Sequence, residues 1–253
     1  MADVRIDSPK NTAMSDSLNP STIYRHDQIT GEANLGPEST RNLELITAHV
    51  ERHVGSVAQV IHETAAQFVH VDILHVLPSA KRDFHVLVTS GLSDRSMNAP
   101  QGCEDCRYAE LYLCLPASWP LATQNFSNER NYWPIRLLQM LGRFPHVFSA
   151  WLWIYHTVPN FDPPQAYAKS TRLCGAMLGP VISLPVDFAS LKAPDSQAIH
   201  FFSVLPLHQE EMDFKIKNGG ESLMAHLFKQ GVIADIVDPA RKSAIGKKRF
   251  GLF

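Results

Sequence analysis

His70, Asp72, His75 and His85 could together offer imidazole and carboxylate donors to a divalent metal. If the polar stretch from residue 79 to 83 closes a symmetric hairpin, His75 and His85 become cross-strand neighbours. A working centre also needs a third ligand and a position open to water, and spacing alone supplies neither. His49, His53 and His62 fall in the first helical pattern, and twelve histidines make chance neighbours common. No metal and no cofactor are therefore expected. Cys103-Glu104-Asp105-Cys106 has dithiol spacing, but a redox pair needs a helix start to lower the thiol pKa, and a strand pattern follows here. Those two residues are expected to be ordinary loop thiols, since no second pair completes a zinc site. Ser90 and Ser93 flank Gly91 at a strand end without a Gly-x-Ser-x-Gly elbow, and no phosphate-cradling loop occurs. No catalytic residue is nominated and the chain is expected not to be an enzyme. A metal-dependent hydrolase built on the hairpin histidines is the competing reading.

Composition narrows the remaining classes. The chain has 253 residues, 45% hydrophobic and 19% charged, enough to bury a core without disulfide or metal staples. A formal charge of −2 gives no global field for nucleic acid or anionic membrane. Arg241, Lys242, Lys247, Lys248 and Arg249 make the C-terminus locally basic, which reads as a solvated tail. No apolar run reaches transmembrane length and no secretory signal is visible, so a reduced, cytoplasmic protein is expected.

The elements follow from periodicity. Residues 1–37 are polar and rich in Asp, Ser, Asn and Pro, which predicts a disordered segment. Leu43, Ile46, Val50, Val54, Val57, Ile61 and Phe68 then form an apolar stripe that predicts one long amphipathic helix. Period-two alternation predicts strands at 69–73 and 84–88, joined as a hairpin, and at 109–115. Tyr132-Trp133-Pro134 opens a second helix that Pro145 closes. Strands are predicted over 150–158, 177–184 and 199–205, and short helices over 209–217 and 221–230 with Gly231 as C-terminal cap. The expected fold class is α+β (mixed α/β): one mostly antiparallel mixed sheet of about six strands, flanked by helices. The expected divisions are a disordered segment 1–37, a domain over 38–243 and a basic tail 244–253.

Several short strings fall in a telling order. They are Val88-Thr89-Ser90-Gly91-Leu92-Ser93, Ala109-Glu110-Leu111, Leu115-Pro116-Ala117-Ser118-Trp119, Trp133-Pro134-Ile135 and Tyr155-His156-Thr157. Phe202-Ser203-Val204-Leu205-Pro206-Leu207, Gly219-Gly220-Glu221-Ser222-Leu223 and Arg241-Lys242-Ser243 follow. In order and spacing they resemble the suppressor-of-fused-like domain in its single-lobe bacterial form, over roughly residues 43 to 243. The resemblance implies a mixed α/β domain for which no enzymatic activity is established. The eukaryotic member clamps a transcription-factor peptide between two lobes; bacterial relatives are proposed to be immunity proteins that neutralise a toxin. One lobe alone cannot form the two-sided clamp. The stretch matching the peptide groove runs from about Phe144 to His156, where an aromatic residue replaces the expected acidic contact.

On both grounds the candidate partner-binding residues are Phe148, Trp151, Trp153, Tyr155 and His156. Alternation in a strand over 150–158 would put Trp151, Trp153 and Tyr155 on one side. That stripe is either an exposed contact surface, of the residue types that anchor interfaces, or one buried face of a central strand. The expected function is protein binding, with the partner a toxin encoded nearby; protein sequestration in transcriptional control is a further alternative. No membrane or nucleic-acid partner is expected.

Overall fold

The computed structural model describes residues 4–8, 22–26, 29–31, 42–63, 68–194, 197–233 and 235–246. Its elements are β1 (Val4–Ser8), β2 (Thr22–His26), α1 (Leu43–His53), β3 (Val57–Ile61), β4 (Asp72–Val76), β5 (Phe84–Ser90) and β6 (Ala109–Pro116). Then come α2 (Glu129–Val147), β7 (Thr157–Pro159), β8 (Gly175–Gly179), β9 (Ser190–Lys192), β10 (Ala198–Leu207), α3 (Gln209–Asn218) and α4 (Gly220–Lys229). Eight strands make one sheet in the order β3-β4-β5-β6-β10-β8-β7, with β9 joined to β10. Only β10 and β6 run parallel. The mostly antiparallel α+β class is as expected, with two strands more than the sequence suggests.

Side-chain alternation explains the layers. Leu87 of β5 and Leu111, Leu113 and Leu115 of β6 face α2, against Trp133, Ile135, Leu138 and Leu141. Val86 and Val88 of β5 and Tyr112 and Cys114 of β6 face the other way, onto Ile46 and Val50 of α1 and onto Phe188. A sheet covered on both faces needs near-continuous apolar strands, which is what β5 and β6 are. A third cluster lies where α3 and α4 cover β8 and β10, with Met177, Leu205, Leu207, Met212, Leu223 and Leu227. No helix among the described residues is long and apolar enough to cross a membrane.

Three expectations are corrected. The first helix stops at His53: Gly55 turns the chain with φ of 146°, and the β-branched Val57, Val60 and Ile61 join β3 and pair with β4. The predicted strand over 150–158 is reduced to β7. Ser149 and Tyr155 hold positive φ, and the chain turns on itself within 151–156, with His156 N–H donating to Trp153 O at 3.0 Å. Cys103 and Cys106 are joined as a disulfide across a short 3-10 turn, so they are not free loop thiols. Before α1, β1 and β2 pair antiparallel, and the N–H groups of Thr30 and Gly31 cap Val147 O at the end of α2. The boundary expected between residues 37 and 38 and the tail beyond residue 246 lie outside the described residues.

Candidate functional site

The nominated aromatic residues sit on an irregular segment between α2 and β7, held at both ends. Ala150 N–H donates to Pro145 O and its own carbonyl accepts from Asn98 N–H, at 2.8 and 2.9 Å. Further along, Tyr155 N–H reaches Leu178 O on β8 at 2.7 Å. Between these anchors Trp151 and Trp153 come together, ring centroids 6.3 Å apart, both half-buried. Trp153 stands edge-on to His200 and Phe202 of β10 at 4.9 and 5.0 Å. Half-buried His200 completes the patch, with buried Phe202 beneath it; the sequence signal for them is that His200 and Phe202 alternate with Ile199 and Phe201, which face the α1 layer. His200 also meets the disulfide loop, its Nε2 donating to Asp105 O at 3.1 Å.

The other three nominated residues part company with this pair. Phe148 packs on Phe144 and His26 at 4.9 and 5.7 Å. Tyr155 turns to the α3/α4 cluster, its ring against Gly220, where a Cβ would lie 2.5 Å from it. His156 is fully buried, its ring edge-on to Trp151 at 4.7 Å, and its Nδ1 accepts the Trp153 N–H at 3.2 Å. Burial, and then the charge of Lys215, push its pKa down to about 3, so the ring beneath the patch is neutral. His156 is a support for the tryptophans rather than a contact.

The interior holds several polar centres. His75 and His85 bond to each other, Nε2 to Nδ1 at 2.9 Å, and burial brings His75 down to about 4. They are not directly opposite, because His75 faces Leu87. The hydrolase reading gains nothing from them, since each ring serves the other inside the fold. Glu110, fully buried on β6, accepts from Thr89 Oγ1 (2.5 Å), Gly91 N–H (3.1 Å), and Ser93 N–H and Oγ–H (2.9 and 2.7 Å). This knot explains the Thr89-Ser90-Gly91-Leu92-Ser93 string as a structural device. His62 and His70 both contact Asp72 at the far end of β4.

A family model described as Suppressor of fused protein (SUFU) matches residues 68–242. The fold is similar to a putative SUFU homologue from Neisseria gonorrhoeae FA 1090, with TM-score 0.56 and 16% identity over 81% of this chain and 97% of that one. It is similar also to the crystal structure of the Sufu–Fu complex, with TM-score 0.56 and 12% identity over 81% of this chain and 93% of that one. At such identities the likeness is one of fold. No curated protein matches the chain.

Proposed function

Because the chain belongs to the suppressor of fused family, we propose that it is a protein-binding domain that grips a polypeptide through the Trp151–Trp153 end of its sheet and performs no catalysis. The observation that carries this reading is the patch itself. Two tryptophans are held half-exposed on an irregular segment whose backbone is tied to β8 and to the loop at Asn98. Rigid, partly exposed aromatics concentrate binding energy, since little side-chain entropy is lost when a partner covers them. A structure similar in fold is of a complex, Sufu with Fu, which supports a polypeptide as the class of ligand. The finer reading is an immunity protein that masks a toxin from the same cell, acting in the cytoplasm. Masking needs an interface of roughly 1,200–2,000 Å². Trp151, Trp153 and His200, resting on buried Phe202, would be its centre and the 97–107 loop part of its rim.

The test is co-expression with the product of an adjacent gene, followed by binding measurements on Trp151→Ala and Trp153→Ala. The wild type is expected to rescue growth and to form an isolable complex. Each variant should lose about 2 kcal/mol of binding, about 30-fold in Kd, with its circular dichroism spectrum unchanged. Folded variants that bind as tightly as the wild type would remove the patch from the interface.

A further inference from the structure

Ile61 at the end of β3 pairs with Ile73, which brings His62 opposite Asp72, and His70 lies two residues before Asp72. The three side chains converge. His62 Nδ1 is 2.9 Å from Asp72 Oδ2, and His70 Nε2 is 2.7 Å from Asp72 Oδ1. One donor atom from each lies within 4.8 Å of the other two, the one such trio of metal-ligating groups among the described residues.

We propose that His62, His70 and Asp72 bind one divalent transition-metal ion, with a coordination position left open to solvent. Two imidazoles and one carboxylate are a donor set suited to zinc, cobalt, nickel or ferrous iron, and poorly suited to calcium or magnesium. Metal–donor bonds of about 2.0–2.2 Å place tetrahedral ligands about 3.4 Å apart. The two His–Asp pairs, made to opposite oxygens of the Asp72 carboxylate, reach that spacing by opening about 0.5 and 0.7 Å as the ion displaces the protons they share. Asp72 is already braced as a ligand should be: its Oδ1 accepts Glu63 N–H at 3.1 Å, while the Glu63 carboxylate accepts Val71 N–H at 3.0 Å and pairs with Arg143. Exposure sets the direction of approach. The Asp72 side chain is 6% exposed and that of His62 is 68% exposed, so the ion enters from the His62 side, where water or an outside donor takes the remaining position. The ion clamps the end of β3 to β4. This inference stands independently of the protein-binding reading.

The experiment uses the full chain, stripped with a chelator and titrated with zinc against a chromophoric competitor. Wild type is expected to take up one equivalent. His62→Ala and His70→Ala should each weaken binding by more than the roughly 10–100-fold that follows loss of an outer partner. His53→Ala, at another histidine-rich spot, should leave it unchanged. Cobalt(II) should give intense visible bands of low-coordinate geometry in the wild type that vanish in His62→Ala. His62 is exposed, so its variant keeps the fold, and circular dichroism checks this. No stoichiometric zinc uptake by the wild type, or wild-type affinity in His62→Ala or His70→Ala, overturns the assignment.

Discussion

Replacing Arg241 by alanine tests whether the segment after α4 belongs to the folded domain. Glu211, in the first turn of α3, is fully buried. Its oxygens accept two hydrogen bonds from the Arg241 guanidinium, both at 2.6 Å, and one each from His208 N–H and Ala244 N–H, both at 2.8 Å. Arg241 also donates to Pro206 O at 2.8 Å. The residue that composition assigns to a solvated basic tail is thus a staple between the C-terminal segment, β10 and α3. Arg241→Ala leaves a buried carboxylate with two backbone donors and no countercharge, at a cost of about 3–5 kcal/mol. For a chain of this size that is a fall in Tm of about 6–20 °C. Glu211→Gln combined with Arg241→Met should cost less than Arg241→Ala alone, because no bare charge remains inside. Acid gives an independent check. Burial alone would raise the Glu211 carboxyl, but the hydrogen bonds and charge of Arg241, with the two N–H groups, reverse that and hold it below 4.5. A folded pKa below the unfolded one means this stabilisation is present above about pH 4.5 and is lost as pH falls. In Arg241→Ala the unpaired carboxyl is relieved by protonation, so the deficit relative to wild type should shrink between pH 7 and pH 4. A Tm change below about 3 °C, or a deficit that does not vary with pH, would refute the argument.

Two further outcomes follow from the Glu110 knot and its surroundings. Burial, against the hydrogen bonds from Ser93, Thr89 and Gly91, raises Glu110 to about 7, so its contribution is complete below about 4.5 and is lost as pH rises through 7, roughly 3 kcal/mol in all. Burial lowers His75 and His146 to about 4 and His156 to about 3, so these favour the folded state as pH rises toward 6.5. The three histidines together outweigh the one carboxyl, so urea midpoints should rise between about pH 4.5 and 7, and should rise more steeply in Glu110→Gln, which lacks the opposing loss; parallel curves for variant and wild type contradict the assignment. Gly91 holds φ of 130°, and a Cβ there would meet His70 O at 1.9 Å, a backbone atom that cannot step aside. Gly91→Ala should cost about 3 kcal/mol or more, and a melting temperature within about 2 °C of wild type would show the turn to be looser than described.

How much of this was legible follows from which signals are local. The β4–β5 hairpin, β6 and α2 to α4 show in period, caps and breakers, all readable within a dozen residues. The overrun of α1 came from Val54, Val57 and Ile61, whose spacing suits a helix stripe, while Gly55 was the contrary signal. That one misassignment hid the metal-ligand trio, because His62 meets Asp72 only if residues 57–61 are a strand. Trp151, Trp153 and Tyr155 alternate in sequence, yet alternation does not require a strand, and the positive φ at Tyr155 sends its ring to a different cluster. Arg241 with Glu211, and Asp235 with Tyr112 and Ser183, are pairings across 30 to 123 residues. No local pattern announces those.

The edges of the sheet bear on how a partner is held. An exposed strand edge is a template for β-augmentation only if it is long, flat and rich in free donors. Here β7 is three residues long and ends in Pro159, which has no N–H, and β1 lies against it. At the other end β3 carries a register shift between Val57 and Gln59, and the Val57 N–H is taken by the Glu51 carboxylate at 3.3 Å. Both edges are therefore blunted by short length, proline, a bulge or a neighbouring strand, as in sheets protected from edge-to-edge association. A polypeptide that gained affinity by adding a strand would find few ladder positions at either edge. Side-chain contact at the Trp151–Trp153 end, where half-buried rings already stand on a braced backbone, is the mode of docking this architecture favours.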